Sequence, residues 1–334
     1  MSARPAPLLE LRGISKRFVQ RPDAAQRLAA VFGARAPDAV VRAVDDVSLA
    51  VREREVVGLV GESGCGKSTL GRMVARIIEP SAGERLWRGR PYRELGAERD
   101  RAERLAVQMI FQDPYASLNP RMRVADIVGE APVVHGLVAR GEREGYVAGM
   151  LERVGLEPTA MRRFPHQFSS GQRSRIGIAR ALAVRPRFLV CDEAVAALDV
   201  SIQAQVLNLF VRLREELGLA YLFISHDLAV IRHLSDRVMV MYLGRIVESA
   251  PVADIYERPN HPYTEALIAE VPRIDARRRR YVPIRGEIPS ALSAPTGCHF
   301  HPRCPKAFAR CRTESPALRE VAPGRLSACH LNDR

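Results

Sequence analysis

One short segment combines glycines, a lysine and three hydroxyl side chains in a pattern that suits binding of phosphate groups. Residues 61–69 read GESGCGKST and fit G-x-x-x-x-G-K-[ST]. Glycines let successive backbone N–H groups turn towards phosphate oxygens, Lys67 supplies a positive charge for the β- and γ-phosphates, and the Ser68 hydroxyl is a hard oxygen ligand for Mg²⁺. We expect a nucleotide to bind through Gly61, Ser63, Gly64, Cys65, Gly66, Lys67, Ser68 and Thr69.

Two adjacent carboxylates follow an apolar run later in the chain. The run 188–191 predicts a buried strand, and Asp192 and Glu193 come directly after it. We expect Asp192 to hold Mg²⁺ through water and Glu193 to polarise the attacking water as general base. The pair therefore predicts hydrolysis of the bound nucleotide.

Four of the six cysteines lie close together near the C-terminal end, in the spacing C-x5-C-x6-C-x17-C. They are Cys298, Cys304, Cys311 and Cys329. Four thiolates suit a [4Fe–4S] cluster or a tetrahedral Zn²⁺ ion, and four reduced thiols without a ligand are the alternative. Because this segment is short, rich in proline and poor in apolar periodicity, we expect it to need a ligand for order. Its distance in sequence from the phosphate-binding motif predicts a structural role that leaves nucleotide binding nearly unchanged.

The elements that position these motifs are predicted by apolar periodicity. Residues 8–18 and 40–59 alternate in the manner of half-buried strands, and residues 19–38 between them have the composition of an insertion or linker. A continuous apolar run at residues 56–60, a glycine-rich loop and then helical spacing predict strand, tight loop and helix. The helically spaced apolar residues are Leu70, Met73, Val74, Ile77 and Ile78.

The rest of the chain alternates predicted helices and strands. Residues 113–185 are mainly helical in pattern, and the apolar runs 188–191, 221–224 and 238–242 predict strands separated by helices. Such alternation predicts a parallel sheet buried on both faces. After about residue 271 proline, glycine and cysteine replace periodicity, which predicts a separate irregular module.

Composition limits the class of protein. A chain of 334 residues, 47% hydrophobic, can bury one large core and carry a small appendage. We find no apolar stretch of signal-peptide or membrane-helix length and therefore expect a cytosolic chain. The formal charge of +13 comes mainly from arginine, including a run at residues 277–280, and we favour a solvated arginine-rich surface over one that binds nucleic acid or anionic lipid.

Residues 168–173 (FSSGQR) resemble the signature sequence of ABC transporter ATPases, which normally reads Leu/Phe-Ser-Gly-Gly-Gln. The resemblance covers about residues 8–259. Three residues depart from the family's usual pattern: Ser170 replaces a glycine, Ala194 a proline and Ser174 a glutamine. The order of the motifs along the chain is that of the family: phosphate loop, Gln112, signature, Asp192–Glu193, Asp199 and His226.

The resemblance implies an α/β fold. It would be a P-loop NTPase (RecA-like) parallel-sheet core with an N-terminal antiparallel β subdomain, an inserted helical subdomain at about residues 113–185 and a small irregular C-terminal Cys-rich extension. The ABC ATPase domain would span residues 1–259 and the extension residues 260–334.

The resemblance also implies roles for single residues. Phe18 would stack on adenine, Gln112 would sense Mg²⁺ and the γ-phosphate, and His226 would hold the γ-phosphate. Taken singly, these residues could equally be a core side chain, a surface amide and a helix cap. The family works as a dimer in which each ATP lies between the phosphate loop of one chain and the signature of the other. This chain would contribute Ser169, Ser170, Gly171 and Gln172 in trans, with Asp199 communicating across the interface.

Shorter sequence matches are similar to the ATPases of oligopeptide/dipeptide importers, whose close relatives include nickel importers. They include FQDPYASLNP at 111–120, HPYT at 261–264 and GCHFHPRCP at 297–305, and residues 241–245 are most similar to the second of two ATPase subunits. The resemblance implies a second ATPase subunit, two transmembrane permeases and an extracytoplasmic solute-binding protein as partners, at the cytoplasmic face of the membrane. It also favours an iron–sulfur cluster over zinc.

Three alternatives stay open at this point. The same machinery could import nickel or another small solute in place of a peptide. A nucleic-acid-associated ABC ATPase would use the positive charge, although such proteins usually carry two cassettes or large inserted domains. A free-standing P-loop kinase would have no use for the signature sequence.

Overall fold

The computed structural model describes residues 6–20, 39–270, 286–290 and 292–333. Most of the predicted linker, residues 21–38, lies outside these ranges, as does the arginine run at 277–280.

The first layer is an antiparallel sheet near the N-terminus. Its strands lie in the order β2-β1-β4-β5 within the described residues. The inner face of this sheet is apolar: Leu9 and Leu11 alternate with polar residues along β1, Ile14 follows an irregularity in the pairing with β2, and all three are completely or almost completely buried. The strands are β1 (Leu9–Gln20), β2 (Ala39–Val51), β4 (Ala82–Trp87) and β5 (Arg90–Pro91).

The second sheet forms the centre of the molecule and has eight strands in the described part of the chain, in the order β11-β12-β10-β9-β3-β8-β7-β6. From β9 to β6 neighbouring strands are parallel. Their apolar runs are continuous because both faces are covered. The strands are β3 (Val56–Val60), β6 (Val107–Ile110), β7 (Phe188–Asp192), β8 (Ala220–Ile224), β9 (Arg237–Tyr242), β10 (Arg245–Pro251), β11 (Arg319–Ala322) and β12 (Arg325–Ser327).

Helices cover both faces of this sheet, and the segment between β6 and β7 is mainly helical, as predicted for residues 113–185. The α-helices are α1 (Lys67–Val74), α2 (Ala97–Ala106), α3 (Pro114–Ser117), α4 (Val124–Val134), α5 (Arg143–Arg153), α6 (Ser170–Leu182), α7 (Val200–Leu217), α8 (Leu228–Leu234), α9 (Val252–Glu257), α10 (Pro262–Ala269) and α11 (Ala309–Thr313). Short 3₁₀ helices occur at Tyr92–Glu94, Arg140–Glu142, Pro158–Arg162, Pro165–Gln167 and His330–Asp333. Within the ranges described, none of these helices has the length and apolar character to cross a membrane.

The helix after the phosphate loop is shorter than its apolar spacing predicts. Leu70, Met73 and Val74 are fully buried, but Ile77 is 53% exposed and lies beyond the end of α1. Arg76 adopts a left-handed backbone conformation with φ of 60°, which ends the helix in the way a C-terminal cap does.

The C-terminal extension is more regular than its sequence predicts. Its strand β12 pairs with β10, where Ser327 lies opposite Glu248 and Leu326 opposite Ser249, so the extension continues the central sheet. Phe300 is 2% exposed and belongs to the core that lies on one face of that sheet. Strands of three or four residues are too short to show a period, and for this reason the sequence predicted an irregular module.

Candidate functional site

The phosphate loop connects β3 to α1, and its glycines are required by close packing. Gly61 has φ of 152° and Gly66 has φ of 108°, both unfavourable for other residues. A Cβ atom on Gly61 would overlap the Met241 carbonyl oxygen, and one on Gly66 would overlap that of Ala43. The loop therefore lies directly against the end of β9 and the first half of β2.

A cleft of about 330 Å³ opens beside this loop. It is lined by residues 63–69, by residues 41–43, by Leu243 and Gly244, and by Gln112 and Glu193. The sequence predicted that the loop, Gln112 and Glu193 belong to the nucleotide site, but it did not predict that residues 41–43 or the turn at Leu243 would line it. The turn follows an apolar strand and contains a glycine, which is the signal that could have identified it. A larger cleft, of about 510 Å³, contains none of these motifs.

Lys67 and Ser68 begin α1 and line the cleft. The Lys67 side chain is buried, and its Nζ donates hydrogen bonds to the carbonyl oxygens of Gly61 at 2.7 Å and Glu62 at 3.0 Å. The Ser68 hydroxyl donates to Asp192 Oδ1 at 2.9 Å, although 124 residues separate the two in sequence. The ammonium group of Lys67 is therefore held at the loop before a phosphate binds.

The Ser68–Asp192 pair has the chemistry of a Mg²⁺ site. Asp192 is 3% exposed, and burial raises the pKa of its carboxyl group, whereas the hydrogen bond from Ser68 lowers it. A divalent cation at these two oxygens would compensate for the loss of solvation of the carboxylate, and hydroxyl and carboxylate oxygens are the ligands that Mg²⁺ prefers. The residues present therefore fit this ion.

Two residues that are distant in sequence from Glu193 contact its carboxylate. Gln112 Nε2 donates to Glu193 Oε2 at 2.7 Å, and His226 Nδ1 lies 3.3 Å from Glu193 Oε1. Glu193 follows the end of β7, His226 follows β8 and Gln112 follows β6. The carboxyl ends of these parallel strands lie at one edge of the sheet, which is where ligands bind in open α/β sheets.

Phe18 lies beside the cleft and does not line it. It is 40% exposed, pairs with Val41 across β1 and β2, and its ring centroid is 5.3 Å from Lys16 Nζ. Because Val41 is one of the lining residues, Phe18 stands next to the rim.

The signature segment begins α6 and does not line the cleft of its own chain. Ser169 caps the helix by accepting a hydrogen bond from the Gln172 backbone N–H at 3.3 Å, while the Gln172 side chain accepts from the Ser169 N–H at 3.1 Å. Ser169, Ser170 and Gln172 are exposed, and Asp199, which precedes α7, is exposed as well. Gly171 is buried, and a Cβ atom there would overlap Ile202.

The four clustered cysteines lie in one region of the C-terminal extension, as free thiols. The Cys298 N–H donates to the Cys311 carbonyl oxygen at 2.9 Å. Burial, together with the neighbouring thiols of Cys311, Cys329 and Cys304, raises the pKa of Cys298 to about 11. No group of three or more His, Cys, Asp or Glu side chains among the described residues could hold a metal ion, so the arrangement gives no support to the predicted cluster or to zinc.

Known families match both parts of the chain. The ABC transporter family matches residues 44–196, and the family described as oligopeptide/dipeptide transporter, C-terminal region, matches residues 247–311. The second match begins within β10, before the residue 260 at which the sequence predicts the extension to start.

Curated proteins are similar over most of the chain. A probable peptide ABC transporter ATP-binding protein, y4tS, of Sinorhizobium fredii is 51% identical over 293 residues, which cover 87% of this chain and 83% of that protein. The oligopeptide transport ATP-binding protein AppF of Bacillus subtilis is 47% identical over 329 residues, 97% of each chain.

Solved structures share the fold. The dimeric ATP-binding cassette MJ0796, in a post-hydrolysis state with ADP and Pi, has a TM-score of 0.61 at 24% identity and covers 73% of this chain and 98% of its own. This likeness confirms the predicted P-loop NTPase fold. From the two family matches and the close relatives it follows that this chain belongs to the ABC transporter ATP-binding proteins of the oligopeptide/dipeptide type.

Proposed function

We propose that this chain binds ATP and Mg²⁺ in the cleft beside residues 61–69, hydrolyses the ATP, and thereby powers the import of peptides through permeases in the membrane. The observation that carries the proposal is the meeting of Gln112 and His226 at the carboxylate of Glu193, beside the Ser68–Asp192 pair. These groups supply the parts that phosphoryl transfer to water requires: a cation site, a base and a hydrogen-bond donor for the γ-phosphate.

The proposed catalytic residues are Glu193, His226 and Gln112, and Gln112 would also be a ligand of Mg²⁺. Lys67 would bind the β- and γ-phosphates, and Mg²⁺ would be held by Ser68, by Gln112 and, through water, by Asp192. Glu193 takes a proton from the attacking water. His226 would hold the γ-phosphate, and Phe18 would stack on the adenine. The other predicted contacts with the phosphates would come from the loop, at Gly61, Ser63, Gly64, Cys65, Gly66 and Thr69.

A second cassette completes each site. The signature residues Ser169, Ser170 and Gln172 and the residue Asp199 are exposed and lie outside the cleft of their own chain, which supports a role in trans. We propose that the second cassette is a non-identical ATPase subunit, and that the pair docks on two permeases at the cytoplasmic face of the membrane. An extracytoplasmic binding protein would deliver the solute.

Peptides are the proposed solute because both relatives described above carry peptide-transport names and because the C-terminal region matches the oligopeptide/dipeptide family. Nickel or another small solute is the alternative. We also propose the division into an ABC ATPase domain at 1–259, with its helical subdomain at about 113–185, and an extension at 260–334.

We further propose a [4Fe–4S] cluster, with Zn²⁺ as the alternative, at Cys298, Cys304, Cys311 and Cys329. This proposal rests on the sequence spacing of the four cysteines and on the resemblance of residues 297–305 to the peptide-importer extension, and not on the arrangement of the thiols. Anaerobically purified protein should contain about four irons per chain and be brown. Stoichiometric zinc without iron would identify a zinc site, and the absence of both metals would refute this proposal.

The nucleotide site is tested by Lys67→Ala. Loss of the ammonium group should abolish measurable ATP binding by the purified chain in calorimetry, because Lys67 is the buried cation of the loop. Lys306→Ala is the matched control, since Lys306 is half-exposed and pairs with Glu265. ATP affinity of wild-type strength in Lys67→Ala would contradict the assignment of this cleft.

A further inference from the structure

The side chain of the second residue of the phosphate loop is held by the C-terminal extension. Arg303 Nη1 donates to Glu62 Oε2 at 2.7 Å, and Arg303 Nη2 donates to Glu62 Oε1 at 2.9 Å. The Arg303 side chain is only 5% exposed and that of Glu62 is 20% exposed. A bidentate pair of this kind fixes orientation as well as distance, particularly where water is excluded.

The backbone of the same residue is held from the extension too. The Glu62 N–H donates to the Tyr263 hydroxyl at 2.9 Å. Tyr263 is fully buried, and its ring centroid lies 4.7 Å from that of Tyr242 and 5.3 Å from that of Phe300. Tyr263 belongs to α10 and Phe300 to the four-cysteine segment, so two parts of the chain beyond residue 260 meet behind the loop.

These contacts act on the groups that face the nucleotide. Lys67 Nζ is bonded to the carbonyl oxygens of Gly61 and Glu62, so the conformation of these two residues sets where the ammonium group stands. Gly61 cannot move towards β9, because the Met241 carbonyl oxygen already lies against its Cα. The first half of the loop is therefore enclosed by β9 on one side and the extension on the other.

We propose that Arg303 and Tyr263 are positioning residues for the phosphate loop, so that the C-terminal extension sets the ATP affinity of its own cassette. The inference rests on the proposed nucleotide site and goes beyond it, since both residues contact Glu62 but neither lines the cleft. It also opposes the expectation from sequence that this extension leaves ATP binding nearly unchanged. Arg303 and Glu62 are in direct contact although 241 positions separate them, so distance in sequence was a poor guide to distance in the structure.

Arg303→Ala in the full-length chain tests the proposal. ATP affinity should fall by about tenfold. Loss of a residue that supports the direct ligands of a bound ion weakens binding by about 10- to 100-fold, and the expected effect is at the lower end of that range. In the assembled transporter KM for ATP should rise by a larger factor than kcat falls, because the loop is displaced while Glu193 is untouched. Lys306→Ala is the control: its ion pair with Glu265 also joins the four-cysteine segment to α10 but does not reach the loop, and it should leave the affinity unchanged.

A double-mutant cycle separates positioning from general loss of structure. Arg303→Ala combined with Glu62→Gln should bind ATP no more weakly than the weaker single variant, because both remove the same contact. If Arg303→Ala does not fold, Glu62→Gln and Tyr263→Phe, which keep the side-chain shapes, should each weaken ATP binding. Affinity within twofold of wild type in folded Arg303→Ala, equal weakening in Lys306→Ala, or additive losses in the double variant would overturn the proposal. Wild-type affinity in Lys67→Ala would instead refute the nucleotide site itself.

Discussion

Glu193 is held in a backbone conformation that residues other than glycine rarely adopt, with φ of 48°. Its N–H donates to the Ile224 carbonyl oxygen at 3.0 Å, and its carboxylate lies between Gln112 and His226. Strained residues held in place by several contacts are frequent at functional sites. The strain here directs one carboxylate towards the cleft.

Glu193→Gln should keep ATP binding and lose hydrolysis. The phosphate loop is unchanged in this variant, but the base that takes the proton from water is gone, so kcat should fall by roughly 10²- to 10⁴-fold. Phosphate release and calorimetric ATP affinity measure the two effects separately, and the variant should accumulate with its partner as an ATP-held dimer. Glu53→Gln, at an exposed ion pair with Arg88, is the control. Turnover at the wild-type rate would show that Glu193 is not the base.

Ser170→Gly should raise the ATPase activity of the assembled transporter. Ser170 is exposed at the first position of α6, where the family usually has glycine. In the proposed dimer we expect its side chain to hinder close approach to the ATP of the partner. Removal of a steric cost of about 1 kcal/mol would give a roughly fivefold rise. Gly171→Ala should act in the opposite direction, since its Cβ atom would overlap Ile202. Unchanged or lower activity in Ser170→Gly would count against this interpretation.

At the scale of elements, the sequence predicted the strands that position the site better than it predicted their neighbours. The runs that became β3, β7 and β8 are continuous and apolar, the pattern of a sheet covered on both faces, and motif residues follow directly. The pairing of β12 with β10 was not predictable, because a three-residue strand carries no period. The Arg303–Glu62 contact was not predictable either, because the order of residues in a sequence does not show which surface of the cassette the extension packs against.

The start of α10 should make stability depend on pH. His261 is 1% exposed, its Nδ1 accepts a hydrogen bond from the Tyr263 N–H, and burial lowers the pKa of its imidazole to about 3. The unfolded chain, with a histidine pKa of about 6.5, therefore binds an extra proton between pH 6.5 and 3. The stability contributed by the neutral ring is complete above about pH 6.5 and is lost as the pH falls.

We expect the free energy of unfolding to fall by about 1.4 kcal/mol more in the wild type than in His261→Asn between pH 7.5 and 5.5. Asparagine keeps a side-chain oxygen for the helix start and does not titrate. Urea unfolding at the two pH values measures the difference, with His233→Asn, at an exposed position, as the control. Equal pH dependence in the wild type and His261→Asn would refute this explanation.

At the scale of the whole molecule, the cassette and its extension share one core. Phe300 packs on Tyr242 of β9, with ring centroids 5.3 Å apart, and the extension supplies two strands to the central sheet. The sequence predicted an appendage because the segment lacks long apolar runs of its own. Its apolar residues are few, and Phe300 is buried in the same hydrophobic cluster as residues of the cassette.

Phe300→Ala should therefore destabilise the whole chain. Truncation of a buried phenylalanine costs about 3–5 kcal/mol, which should lower Tm by about 10 °C for a chain of this size. Leu292→Ala, at a position that is 51% exposed, should leave Tm nearly unchanged. A thermal melt followed by circular dichroism makes the comparison. Loss of far-ultraviolet signal in a separate early step, with the main transition at the wild-type temperature, would show that the extension unfolds independently.

The proposal that ATP hydrolysis by this chain powers peptide import is tested most directly by peptide uptake into the cells that carry its gene. The chromosomal copy is replaced by Glu193→Gln or by the control Glu53→Gln, both chains are quantified, and entry of a labelled di- or oligopeptide is followed in parallel with entry of nickel. The account predicts that Glu193→Gln abolishes peptide entry and leaves nickel entry intact, while Glu53→Gln behaves as wild type. Peptide entry at the wild-type rate in Glu193→Gln, with the chain present at its normal level, would contradict it.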